Sequence, residues 1–283
     1  MDLYRPVVHR PPRLCPPVTR RSPLVSILPG AEPHHHDGGP VGVLLCHGFT
    51  GTPQSLRPWA DHLGAAGLTV SLPLLPGHGT RWQDMQLTTW QDWYATVDRA
   101  LARLRERCET VFVMGLSMGG GLALRLAEQH GDDVAGLVLV NPSVQADDPR
   151  LKLLPVLRHV IPSVPGIASD IRKEGSVELA YPRTPVKAAY SLAKFWRVVS
   201  ADLPQVTQPV LLMHSPHDHV VSPANSETVL ARISSTDVTD VLLNDSYHVA
   251  TLDHDAERIF ASSLEFVHRL TPGTRTRETA ERD

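Results

Sequence analysis

Cysteine is scarce, with Cys15, Cys46 and Cys108 the only three in 283 residues. An odd number without C-x-x-C spacing excludes a disulfide framework and a cysteine-based zinc cluster, and it favours a reducing compartment such as the cytoplasm. Long apolar runs are also missing. Stretches such as Val41–Cys46 fall far short of the roughly 18 residues of a membrane span, so no transmembrane segment is expected. Neither sign of charge dominates, because 27 Lys+Arg stand against 30 Asp+Glu for a formal charge of −3. That balance leaves no electrostatic footprint for nucleic acid. Arg5, Arg10 and Arg13 are followed by prolines and not by an apolar stretch with a small-residue cleavage site, so no secretory signal is expected. Lysine occurs only at 152, 173, 187 and 194.

With 42% apolar and 20% charged residues, the composition is that of one large globular domain or of a domain carrying an insertion. Residues 1–40 hold nine prolines and read as an extended lead-in, in which His34–His36 is a solvated loop and not a ligand set. From 41 to 142, short aliphatic runs (41–46, 68–72, 111–116, 134–140) alternate with helix-length amphipathic stretches (53–66, 88–107, 118–130). This alternation implies a mostly parallel sheet buried on both faces by helices, an α/β architecture. The rhythm stops over 143–204, where short helical patches at 151–160, 174–180 and 186–199 are separated by prolines. We read that stretch as an inserted cap, or lid. The alternation resumes over 205–270, and 271–283 reads as a polar tail.

The strongest chemical signal is Gly115-Leu-Ser-Met-Gly119, a G-x-S-x-G lying between the run 111–116 and the helical stretch 118–130. Glycines on both sides permit a strained elbow that holds the Ser117 hydroxyl clear of the sheet at the positive end of a helix. The plainer alternative is a serine that merely caps helix 118–130. A serine hydroxyl is a poor nucleophile at neutral pH and needs a base, which in turn needs an orienting acid. After the run ending at His214, the turn 215–219 offers Asp218, and after Val238–Leu243, the turn 244–248 offers His248. His214, His217 and His219 crowd the acid turn, but no second cluster with ligand spacing supports a metal. Asp245 reads as a turn cap, and Asp253 and Asp255 as caps of the last helix. For an oxyanion, backbone N–H donors are expected from Met118 and, in the glycine-bearing loop 46–51, from Phe49.

These residues resemble those of the bacterial α/β-hydrolase serine carboxylesterases, and among them the small Bacillus-type monoacylglycerol lipases. The similar stretches are Leu28–Pro33, Gly39–Leu45 with His47–Pro53, Leu75–Thr80, Gly115–Gly120, Asp218–Val221 and Ser246–Asp253, spanning residues 27–268. The resemblance implies Ser117 as nucleophile, His248 as base and then acid, Asp218 as its orienting carboxylate, and the N–H groups of Phe49 and Met118 as the oxyanion hole. It also implies that Ile167 and Glu178, in the lid-like segments 166–170 and 177–181, line the acyl and glycerol path. A cap-packing isoleucine and a solvated glutamate are the alternatives for those two. Two features depart from the family: the basic, proline-rich front and polar tail, and a cap lengthened around Asp147–Pro165.

The expected protein is therefore a serine ester hydrolase with an α/β-hydrolase fold and a small inserted cap, needing no cofactor or metal. Its expected substrate is a monoacylglycerol or a short-to-medium-chain carboxylic ester, with peripheral membrane contact through the apolar cap. A broad carboxylesterase or thioesterase is the nearest rival. A catalytically silent binding protein of the same fold is the rival from another class.

Overall fold

The computed structural model describes residues 26–146, 149–167 and 169–271. The readings made of the earlier proline-rich front and of the polar tail from 272 lie outside these residues. In chain order the strands are β1 (His34–His36), β2 (Val41–Cys46), β3 (Thr69–Leu72), β4 (Thr110–Leu116), β5 (Gly136–Val140), β6 (Ser163–Pro165), β7 (Arg183–Pro185), β8 (Val210–His214) and β9 (Val238–Leu242). The helices are α1 (Arg57–Ala65), α2 (Trp82–Met85), α3 (Trp90–Arg105), α4 (Met118–His130), α5 (Leu154–Leu157), α6 (Val186–Asp202), α7 (Ala224–Arg232) and α8 (Ala256–Leu270).

Seven strands form one sheet in the order β1-β3-β2-β4-β5-β8-β9. Every pair is parallel except β1 with β3. Period-2 alternation divides the strand residues between two cores. Leu44, Cys46, Val111, Val113, Leu137 and Leu139 pack under α3, α4 and α6 with Trp93, Leu122 and Phe195. Val43, Leu45, Phe112, Met114, Val138 and Val140 pack under α1 and α8 with Trp59, Leu63 and Phe260. Because both faces are covered, the central strands are apolar throughout, as the sequence predicts. Helix α3 starts where it does because Thr89 and Asp92 form a capping box, and Ser191 of α6 takes the Trp90 N–H at 2.8 Å.

The sheet starts before Pro40, because His34–His36 is an edge strand and not a solvated loop. It pairs antiparallel with β3, and the His36 ring lies against Gly64 of α1. Between β5 and β8 the chain carries α5, the small hairpin β6–β7 and the long helix α6. The helical patch expected at 174–180 is not a helix. Gln54 straps it in extended form, its amide donating to the Val177 carbonyl (3.1 Å) and its carbonyl accepting the Leu179 N–H (2.9 Å). Tyr181 completes the strap, receiving the Thr80 N–H (2.9 Å) and donating to the Gly77 carbonyl (2.8 Å). Among the described residues no helix is long and apolar enough to cross a membrane.

Candidate active site

Ser117, Asp218 and His248 each lie shortly beyond the carboxyl end of a parallel strand, where open α/β sheets gather their ligands. Ser117 follows β4 and is the N-cap of α4, with φ 58 and ψ −122. That conformation is strained for any residue with a Cβ, and it is held by the surroundings. The Ser117 N–H donates to Val140 of β5, and its carbonyl accepts from Gly120, Gly121 and Ser143. The three glycines that open α4 lower its helix propensity by roughly 1 kcal/mol each. Close approach explains two of them. A Cβ on Gly119 would lie 1.8 Å from the Cys46 carbonyl oxygen, and one on Gly121 2.9 Å from that of Ser143.

The loop after β2 passes beside the serine, with the Gly48 Cα facing the Ser117 side chain. His47 fixes this loop from below: its Nδ1–H donates to the Gly48 carbonyl (3.0 Å) while Nε2 accepts the Leu75 N–H (3.2 Å). Burial holds His47 down to about 4, so it stays neutral and keeps both bonds at ordinary pH. Phe49 and Met118 line a cavity of about 450 Å³ together with Ser117, His248, Ile167 and Glu178. As the first residue of α4, Met118 has no intrahelical acceptor for its N–H.

His248 is pinned on three sides. Its Nδ1 lies 2.7 Å from Asp218 Oδ2, and the Asn141 amide donates to its carbonyl at 2.7 Å. Its own N–H donates to Asp170 Oδ2 at 3.1 Å. Asp218 is in turn oriented by the N–H groups of Val220 (2.8 Å) and Val221 (2.7 Å) on its other oxygen. The ion-pairing side chains are nearly sealed, 9% exposed for His248 and 2% for Asp218. Burial pulls the His248 pKa down, but Asp218, Glu178 and Asp170 outweigh it, and the net shift is upward from 6.5. A histidine acting as base must be neutral, so if His248 has the role expected of it, hydrolysis falls as the pH drops through that raised value. The expected kcat/KM profile of the free enzyme has an acid limb above pH 6.5; a profile flat from pH 5 to 8 would remove His248 as the titrating group.

Glu178 shares the cavity with His248, and burial, opposed by His248 and a Ser169 hydrogen bond, raises its carboxyl pKa. Ile167 is largely exposed at the cavity mouth. Asp253 does not cap α8 as the sequence suggested. It is 1% exposed, and its carboxylate collects the N–H groups of Arg172 (2.7 Å), Lys173 (2.9 Å) and Tyr247 (2.9 Å). Asp255 stands at the α8 N-cap position, yet its carboxylate accepts from Asp245 N–H and Ser246 Oγ, both at 2.9 Å, instead of from the helix. Asp245 points outward, 3.5 Å from the Arg172 guanidinium. His214 faces Asp240, and His219 faces Asp170. Sequence reasoning passed over Asn141, whose amide oxygen also receives the Ser215 N–H at 2.8 Å. Its position directly after an apolar strand, where a ligand crevice is expected, was the one available signal.

Residues 41–255 match the family described as serine aminopeptidase, S33. The chain is 46% identical over 241 residues to a thermostable monoacylglycerol lipase of Bacillus sp. (strain H-257), covering 85% of this chain and 95% of that one. It is 24% identical over 242 residues to a carboxylesterase of Bacillus subtilis (strain 168), covering 84% and 97% respectively. Among solved structures, one from a study of the metagenome-derived lipolytic enzymes LipS and LipT superposes with a TM-score of 0.84 at 43% identity, over 86% of this chain and all of that one. The chain belongs to this family of α/β hydrolases and is a carboxylic ester hydrolase.

Proposed function

We propose that the enzyme hydrolyses monoacylglycerols through an acyl-enzyme on Ser117. In this reading His248 Nε2 takes the Ser117 proton as Oγ attacks the ester carbonyl, and Asp218 holds the imidazole in the tautomer that leaves Nε2 free. The Phe49 and Met118 N–H groups receive the oxyanion, and His248 then protonates the departing alcohol. A water molecule activated by His248 releases the acid. In this reading the chain's own residues supply the nucleophile, the base, its orienting acid and the oxyanion donors. Residues 143–204 act as the cap.

The observation that carries the substrate class is the make-up of the cavity. Leu151, Leu192 and Trp196 are among the apolar side chains of its lining, which suit an acyl chain, and Glu178 and Thr50 are among the polar ones, which suit the alcohol. The 46% identical relative named as a monoacylglycerol lipase supports the same reading. Hydrogen bonds from glycerol hydroxyls to a half-buried carboxylate such as that of Glu178 are worth about 1.5–3 kcal/mol. Glu178→Ala should therefore cut monoacylglycerol turnover by roughly tenfold to a hundredfold while sparing p-nitrophenyl esters of matched acyl length. Equal losses on both substrates would leave a carboxylesterase without glycerol preference.

The cap also carries the means of meeting a lipid surface. Val156 (69% exposed) and Val160 (72% exposed) stand with Leu153 on one outward segment, next to Arg158. Such a patch on a lipid-metabolising enzyme reads as a contact with membrane or aggregated substrate. The doubly substituted Val156→Asp, Val160→Asp enzyme should lose co-sedimentation with phosphatidylglycerol vesicles and keep wild-type hydrolysis of a soluble p-nitrophenyl ester. Undiminished vesicle binding would refute the contact. Cys46 and Cys108 are unpaired, which suits the reducing cytoplasm.

A further inference from the structure

We propose that Asp170, a residue of the cap, is a positioning residue for His248, so that the segment meeting the substrate also sets the base. The inference rests on His248 being that base. Asp170 lies 78 residues from His248 in sequence, and its side chain is 11% exposed. One carboxylate oxygen accepts two backbone N–H groups, those of His248 and His219, each at 3.1 Å. The other oxygen faces the His219 ring Nδ1 at 2.9 Å. The main chain joins in as well, because the Val249 N–H donates to the Asp170 carbonyl at 3.0 Å. Asp170 thus grips consecutive residues of the base loop and the neighbour of Asp218 at once. It ties together the two loops that must present Nδ1 and carboxylate to each other at 2.7 Å.

The same stretch of cap reaches the substrate cavity in the other direction. Ser169 has φ 56, a left-handed bend, and its hydroxyl receives the Glu178 N–H at 3.0 Å. One residue later the chain has turned toward the base loop. Arg172 and Lys173 continue the attachment through their N–H groups to the buried Asp253 carboxylate, which also holds Tyr247. Opening the cap as a whole would break all of these bonds together, so residues 169–173 are anchored to the base loop.

Asp170 also contributes charge. His248 is faced by Asp218 from the acid loop and by Glu178 and Asp170 from the cap, and each carboxylate favours the imidazolium that forms as Ser117 loses its proton. Asp170 itself is faced by His219, with Arg172 and Lys173 on its own segment and Asp253 beyond them. Asparagine at 170 keeps an oxygen for the two N–H groups and loses the charge; alanine loses both. That difference separates geometry from electrostatics.

The test is the pH dependence of kcat and kcat/KM for p-nitrophenyl butyrate with wild type, Asp170→Asn, Asp170→Ala and His248→Gln. Misplacing the base by an ångström costs on the order of 100-fold, so Asp170→Ala should lose tenfold to a hundredfold in kcat with little change in KM. Asp170→Asn should recover most of that kcat, with its acid limb at lower pH than wild type. If the alanine variant melts below the assay temperature, the asparagine limb alone decides. Wild-type kcat in a folded Asp170→Ala, or an asparagine limb superimposed on the wild-type limb, overturns the inference. An active His248→Gln would instead overturn the assignment of the base, a result distinct from either.

Discussion

Ser117→Ala should abolish ester hydrolysis, by 10⁴-fold or more, in a protein that folds and melts like the wild type. The size of the effect follows from the proposed chemistry, in which the Ser117 hydroxyl, lining the cavity with His248, is the group that carries the acyl chain. The preserved fold follows from the structure. Ser117 holds its place through main-chain bonds to Val140, Ser143, Gly120 and Gly121, none of which involves the hydroxyl. Alanine has the same Cβ as serine, so the strained φ of 58 costs the variant no more than it costs the wild type. Turnover of a p-nitrophenyl ester and mass-spectrometric detection of a fluorophosphonate adduct would measure the result directly. Residual activity within a hundredfold of wild type, or an adduct formed on the variant, would place the nucleophile elsewhere.

The second large effect comes from a single methyl group. Gly119→Ala would set a Cβ 1.8 Å from the Cys46 carbonyl oxygen and 2.9 Å from that of His47. Both oxygens belong to backbone at the end of β2, so no side chain can swing aside. The start of α4 has to move off the sheet, carrying Ser117 and the Met118 N–H away from Phe49. Overpacking of this kind costs about 1–3 kcal/mol of stability and occasionally more. In the proposed mechanism the Met118 N–H is an oxyanion donor, and losing the alignment of such a donor costs on the order of 10²–10³ in kcat. Gly67→Ala provides the contrast. Its φ of +85 makes alanine unfavourable there, but nothing lies within 4 Å of the added methyl. It should lower the melting temperature through roughly 1–2 kcal/mol of backbone strain and leave kcat untouched. A Gly119→Ala enzyme with normal kcat would mean that the contact between α4 and β2 is not what holds the donors.

These two variants touch the part of the molecule most legible in the sequence. Aliphatic runs separated by helix-length segments specify a buried parallel sheet, and G-x-S-x-G between such a run and a helix leaves little freedom in where the serine points. Asp218 and His248 are legible for a related reason, since each occupies the first turn after a strand. Strand β1 is less visible because His34–His36 has no apolar face; it exists because β3 offers an open edge and Gly64 leaves room for the His36 ring. The strap at 174–180 carries a helix-like pattern, yet the side chain of Gln54, more than 120 residues earlier, satisfies its backbone instead. Asp170 and Asp253 are the hardest to read. Short-range rules assign an aspartate near a helix to a cap, and nothing local announces backbone donors some 80 residues away in sequence.

The distribution of lysine has a practical side. All four, at 152, 173, 187 and 194, fall between β5 and β8, and all four are exposed. Elsewhere the surface carries its positive charge on arginine, which does not react with ordinary amine reagents. Biotinylation or coupling to an aldehyde resin, apart from the chain's amino terminus, would therefore graft the enzyme by the segment between β5 and β8, the one that also supplies Ile167 and Glu178 to the cavity. A support that is to leave that segment free needs a different handle, such as a cysteine placed at an exposed position of α8, which covers the sheet face opposite α6.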